Sequence, residues 1–174
     1  LVGSEMCIRD RENETVVDAY AGVGYYTLHM AQRSNAKQVH ACELNPHSLT
    51  GLNWAIRENN LQDKITVHAG DNQATLPSLY GIADRCHLGL LPSSKAVWKH
   101  ALCCLKTSGG WIHVHMNVEE KNLTQWREDT LLELHRMSKE IGREWLIEAH
   151  HLEKVKWYSP RVRHVVLDVQ CSEI

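Results

Sequence analysis

No apolar run in this 174-residue chain approaches the roughly 18 residues that a membrane-spanning helix requires, so no segment is expected to cross a bilayer. Nor does the chain contain a CxxC pair. Its six cysteines, Cys7, Cys42, Cys86, Cys103, Cys104 and Cys171, lie mostly in apolar segments without the spacing of a disulfide or zinc framework, which is the pattern of reduced thiols in a cytoplasmic protein. The twelve histidines add no metal framework. The tightest groupings, His113-x-His115 and His150-His151, lack Cys or carboxylate partners at ligand spacing, and no metal is expected. Proline is scarce, at four residues, and with 43% hydrophobic and 23% charged residues the composition is that of an ordered globular protein. The length fits one domain, expected to be monomeric. A basic excess is also missing. The net charge of −2 means either that nucleic acid is not the partner or that a basic surface lies elsewhere, because phosphate neutralisation normally supplies much of such affinity. There is no internal repeat or low-complexity segment.

The lead LVGSEMCIRDR has no clear periodicity and resembles a translated sequencing adapter. Residues 1–12 are therefore expected to be non-native, and 13–174 to form one catalytic domain without its N-terminal part. Beyond the lead, strand and helix patterns alternate. Strands are predicted at 14–20, 37–43, 64–71, 82–91 and 109–118, and helices at 25–34, 46–60, 94–106 and 120–141. The last helix carries Leu123, Trp126, Leu131, Leu134, Met137 and Ile141 on one side. Two strands, about 145–157 and 162–170, follow in succession and meet at Ser159-Pro160. Strand–helix alternation implies a parallel sheet with helices on both faces. With the final antiparallel hairpin this is an α/β, class I methyltransferase-type Rossmann fold, a seven-stranded and mostly parallel sheet.

Three polar features fall at three successive strand ends, where open α/β sheets bind ligands. DAYAGVG, residues 18–24, turns from strand into helix. Gly22 and Gly24 there allow tight turning and close ligand approach, although such a loop alone is also compatible with a mere turn. Glu43 ends the second strand, where a carboxylate can accept both hydrogen bonds of a ribose diol. Gly70-Asp71-Asn72 ends the third, within reach of an adenine edge. A dinucleotide is the rival ligand, but its GxGxxG fingerprint wants a small residue where Thr27 stands. S-adenosylmethionine has no pyrophosphate and asks more of the carboxylate, so residues 16–71 are read as its binding half.

The blocks VVDAYAGVGYYTL, VHACELNPHSL, HAGDN, ADRCHLGLLPSS, GGWIHVHMNVEEK and YSPRVRHVVLDV resemble, one after another, the wybutosine-synthesizing protein 2 family of tRNA-modifying enzymes. The resemblance runs from about Glu14 to Cys171. It implies transfer of the 3-amino-3-carboxypropyl group of S-adenosyl-L-methionine onto the tricyclic guanosine (4-demethylwyosine) beside the anticodon of tRNA(Phe), releasing methylthioadenosine. By position it implies that Glu43 holds the ribose and Asp71 and Asn72 the adenine, with Tyr20, Ala21, Gly22 and Gly24 lining the methionine portion. It also implies a serine and a basic residue just upstream of the first strand, a segment replaced here by the lead, and a separate N-terminal tRNA-binding part.

The related guanine-N1 methyltransferases carry an Asn-Pro-Pro type motif after the fourth strand. Here LGLLPSS places Leu90 or Leu91 at the asparagine position, and a leucine cannot accept a hydrogen bond from a purine edge. Leu90 is thereby a cofactor-site candidate. Pro92-Ser93-Ser94 reads either as a helix N-cap or as a means of holding Ser93 near the substrate. The catalytic base is not identified. Ser93 and His115, the latter placed at the end of the fifth strand, are the candidates, with a packed strand histidine as the alternative for His115. Lys154, Lys156, Arg161 and Arg163 flank Trp157-Tyr158, a basic and aromatic patch suited to RNA or simply a solvated strand face. The alternative functions are a tRNA guanine-N1 methyltransferase and an inactive cofactor-binding fragment.

Overall fold

Seven strands form one sheet in the order β3-β2-β1-β4-β5-β7-β6 in the computed structural model, which describes residues 13–34 and 36–174. The lead at 1–12 lies outside the described residues. β1 (Thr15–Asp18), β2 (Gln38–Glu43), β3 (Ile65–Ala69), β4 (Arg85–Leu88) and β5 (Gly109–Glu119) are mutually parallel. β6 (Trp145–Ser159) and β7 (Val162–Glu173) make the antiparallel end, β7 pairing with β5 along its whole length. The order reverses between β1 and β4, and the crevice at such a reversal is where α/β sheets take their ligands.

Alternate residues of each strand serve opposite faces. Val16 packs with Met30, Ala31, Leu52 and Ile56, under α1 (Tyr25–Gln32) and α2 (Pro46–Glu58). Val17 packs with Leu76, Trp98, Leu102 and Leu134, under α4 (Trp98–Cys104) and α5 (Leu123–Glu140). The stripe on the last helix packs as its spacing predicts: Leu134 is fully buried, and Trp126, Leu131, Met137 and Ile141 lie against the same core. α2 starts where Asn45 caps it, its side chain accepting the His47 N–H, with Pro46 in the first turn, where no donor is lost.

Several boundaries differ from the sequence pattern. The fourth strand, predicted over 82–91, is only Arg85–Leu88, because the chain turns away at Gly89 and runs beside β5. The Asn117 N–H donates to Pro92 O at 3.1 Å, and Ser93 bridges Met116. A short helix, α3 (Asn72–Thr75), and a 3-10 turn at Leu76–Leu79 occupy what reads as a loop. β5 runs to Glu119, five residues past its last pairing with β4 at Val114. At about 3.4 Å per residue, β5 and its partner hairpin stand roughly 17 Å above the strand ends.

Candidate functional site

A cleft of about 640 Å³ opens at the C-terminal ends of the parallel strands, within the range of small-molecule sites. Its walls come from four strand ends. β1 contributes Ala19, Tyr20 and Gly22; β2 contributes Cys42 to Asn45; α3 and the turn before it contribute Asp71, Asn72 and Gln73; and the segment after β4 contributes Gly89, Leu90, Ala96 and Val97. Of the residues expected at the cofactor, Tyr20, Gly22, Glu43, Asp71, Asn72 and Leu90 are thus brought together. The structure separates Ala21 and Gly24 from them. Ala21 is buried, its N–H donating to Cys42 O at 3.0 Å.

Gly24 faces the packing between helices instead of the cleft. Its φ is +101°, and a Cβ there would lie 2.5 Å from Leu28 Cδ1 and 2.9 Å from Leu52 Cδ1. Gly24 is what lets α1 start tight against α2. Gly22, at φ +57°, has open space where a Cβ would point, and its N–H donates to Glu43 Oε2 at 2.7 Å. The other oxygen of Glu43 accepts the Asn45 N–H at 2.6 Å. This carboxylate therefore braces two loops, and each oxygen keeps a second lone pair.

Asp71 caps α3, accepting the Gln73 N–H at 2.8 Å. Asn72 donates its amide to Ala19 O at 2.6 Å, while its Oδ1 is buried without a partner. The Tyr20 phenol is pushed above its ordinary range by burial, with a hydrogen bond from Asn72 opposing and the nearby Asp71 charge adding to the rise. Cys42 is no nucleophile: burial raises its thiol to about 12.

The two catalytic candidates stand outside the cleft lining. Ser93 Oγ accepts the Lys95 N–H at 3.2 Å across a local turn, one residue ahead of the N-cap Ser94, which itself makes no side-chain capping bond. His115 lies within β5, not at its end. It is 1% exposed, 3.0 Å from His164 Nε2 and edge-on to His87 with ring centroids 4.7 Å apart. Thr27, which breaks the dinucleotide fingerprint, is buried with its hydroxyl donating to Asp18 Oδ2 at 2.7 Å. Asn45 and Gln73 line the cleft without having been anticipated. The Asn-Pro step before α2 signalled the first; nothing local signalled the second.

The basic residues cluster at the β6–β7 tip, the end of the sheet that bears the cleft. Lys154 and Arg163 share the Glu120 carboxylate, at 3.2 and 3.4 Å. The patch is therefore less positive than four cations imply. Arg163 also stacks 3.5 Å over Trp157, while Lys156 and Arg161 are exposed. Among the described residues no group of three His, Cys, Asp or Glu is arranged to hold a metal ion, and no helix is long and apolar enough to cross a membrane.

The chain matches the model of the TRM5/TYW2 methyltransferase domain over residues 4–144. It is similar to tRNA wybutosine-synthesizing protein 2/3/4 of Arabidopsis thaliana, with 43% identity over 160 residues that cover 92% of this chain and 16% of the plant protein. Among solved structures it resembles M. jannaschii TYW2 in complex with AdoMet, at TM-score 0.85 and 30% identity, covering 98% of this chain and 74% of that one. P. horikoshii TYW2 in complex with MeSAdo matches at TM-score 0.84 and 30% identity, over 98% of this chain and 61% of the other.

Proposed function

The chain belongs to the TRM5/TYW2 methyltransferase-domain family, and from that premise we propose that it transfers the 3-amino-3-carboxypropyl group of S-adenosyl-L-methionine to the tricyclic guanosine beside the anticodon of tRNA(Phe). The observation that carries the choice of group is the wall after β4. Gly89 and Leu90 line the cleft there, and neither side chain can hydrogen-bond a purine edge, as N-methylation of guanine requires. The TYW2 relatives with AdoMet and with MeSAdo support the same donor and by-product.

The residues present fit such a ligand. Glu43 retains acceptor capacity for a ribose diol, Asn72 Oδ1 is a buried acceptor without a partner, and Gly22 leaves an open cradle. When bound, S-adenosylmethionine supplies a sulfonium whose methylene carbon bonds to the base carbon, as the C–S pair leaves with neutral methylthioadenosine and the ring proton is lost. The chain's part is positioning, because three carbons on one sulfur are electrophilic and geometry selects among them. Glu43 and Asn72 hold the nucleoside end, the segment 20–22 borders the other end, and Leu90 keeps water from the reacting carbons.

The anticodon-loop purine is single-stranded, so turning it into the cleft costs less than extruding a paired base. The raised β6–β7 hairpin, with Lys156, Arg161, Trp157 and Tyr158 exposed, supports RNA contact on the cleft side. Mass spectrometry of tRNA carrying the tricyclic precursor, incubated with protein and cofactor, tests the reading. The larger aminocarboxypropyl adduct with methylthioadenosine is expected. A one-methyl gain with S-adenosylhomocysteine would replace it with a guanine methyltransferase.

A further inference from the structure

Beneath the cleft, and outside its lining, lies a buried histidine–carboxylate pair. Asp18 is the last residue of β1 and His87 the next to last of β4, and the two are direct partners in the sheet register. Each is 1% exposed. The His87 Nδ1–H donates to Asp18 Oδ1 at 3.3 Å. The same carboxylate oxygen accepts the Tyr20 N–H at 3.3 Å, and its other oxygen accepts the Thr27 hydroxyl at 2.7 Å. The main chain adds a tie, Ala19 N–H to His87 O at 3.0 Å. Asp18 thus gathers the loop after β1, the body of α1 and the end of β4. Burial would raise its carboxyl, but the hydrogen bond and charge of His87, then the bonds from Thr27 and Tyr20, outweigh it and hold the group below its usual range.

The Cε1 edge of the imidazole, next to the Nδ1 that Asp18 holds, meets the segment after β4. A Cβ on Gly89 would sit 2.9 Å from His87 Cε1, closer than carbon atoms pack, so the chain at Gly89 runs directly over the ring edge. The ring has little room to yield. Tyr26 lies at 4.4 Å and His115 at 4.7 Å between centroids. Gly89 and Leu90 line the cleft on that side, as Tyr20 does on the other. An aliphatic residue at 87 would fill the space but give Asp18 no donor. A smaller polar one would serve Asp18 and leave the segment at Gly89 unsupported.

We propose that His87 is a positioning residue: its imidazole couples the nucleotide loop after β1 to the acceptor segment after β4, setting the width of the cleft without touching the ligand. The inference rests on reading the cleft as the site of the adenosyl ligand, and extends it to a residue beneath the floor.

A double-mutant cycle between His87→Asn and Gly89→Ala tests it, read in ligand affinity of folded protein, because two residues in contact couple in stability whether or not they shape the cleft. The asparagine retains a donor for Asp18 and withdraws the ring edge from residue 89. Methylthioadenosine affinity of the full chain is measured by titration calorimetry. Gly89→Ala in the wild-type background is expected to weaken binding at least tenfold, through the collision with the ring, and in the His87→Asn background by less than threefold. An equal loss in both backgrounds overturns the proposal. Should His87→Asn fail to fold, the Thr27 amide resonance in labelled Gly89→Ala protein decides: it shifts if the imidazole and Asp18 transmit the displacement, and a fixed resonance overturns the coupling. A wild-type chain that binds neither methylthioadenosine nor S-adenosylmethionine overturns the reading of the cleft and this inference with it. A chain that binds both but transfers a methyl group overturns only the choice of group.

Discussion

Glu43 spends one lone pair of each oxygen on backbone N–H groups, Gly22 at 2.7 Å and Asn45 at 2.6 Å, and so shapes the cleft as well as offering it acceptors. Glu43→Ala removes both services. It is expected to weaken S-adenosylmethionine binding by about 1.5–3 kcal/mol, the range for hydrogen bonds to a charged group. That is roughly ten- to a hundred-and-fifty-fold in dissociation constant. Calorimetry checks it, and an unchanged affinity would place the ribose elsewhere. Gly24 behaves differently. Its Cβ would overlap Leu28 and Leu52 at a φ of +101°, so Gly24→Ala is expected to cost about 1–3 kcal/mol of stability, as overpacked sites do. Thermal unfolding would register it as a lower Tm. The two glycines look alike in the sequence because a glycine advertises only conformational freedom. Which one faces a ligand and which faces a helix is decided by Leu28 and Leu52, and the second is remote in the chain.

Strands β4, β5 and β7 each contribute histidines to a buried group: His87, His113 with His115, and His164. The spacing His113-x-His115 shows that the two share a face. That His87 and His164 join them requires the registers His87↔His113 and His115↔Val166 to Asn117↔His164, which no local pattern carries. The same limit explains the fourth strand. Its apolar run reads through to residue 91, but the hydrogen bond from Asn117 to Pro92 draws the chain off the sheet after Leu88. Alternation of strands and helices, by contrast, was plain, since each element's period is local. The histidines make stability depend on pH. His115 is held well below its usual range by burial, then by the charges that His87, His164 and His113 would carry; His164 is lowered by burial, then by Lys156 and His87. A histidine whose folded pKa is depressed takes up its proton more readily in the unfolded chain. Its contribution is present above about pH 6.5, the unfolded value, and is lost as pH falls toward the folded one. Asp18 is also depressed, but from 3.8, so its loss belongs to a more acidic window. The urea midpoint is expected to fall between pH 7.5 and 5.5, and His115→Gln to flatten that fall. A midpoint independent of pH would mean that the buried imidazoles are not the groups that titrate.

At the level of the whole molecule, the cleft and the raised hairpin share one end of the sheet, an arrangement that follows from β7 running back from the far end of β5. A chain of net charge −2 gains RNA affinity only where cations are not already paired, and the hairpin tip divides on that criterion. Lys154 and Arg163 share Glu120, whereas Lys156 and Arg161 are exposed with no carboxylate beside them among the described contacts. Lys156→Ala with Arg161→Ala is therefore expected to weaken tRNA binding and to lower the slope of log K against log salt by about 2, one for each lost phosphate contact. Methylthioadenosine affinity should not change, because neither residue lines the cleft. Arg163→Ala makes the sharper comparison. Its guanidinium is shared between Glu120 and the face of Trp157, so its removal should leave the salt slope nearly intact and act instead through the loss of ring stacking. Filter binding across a salt series separates the two. If Arg163→Ala lowers the slope as much as Arg161→Ala does, Glu120 does not neutralise its partners in the complex, and the RNA-facing charge is all four cations, not two.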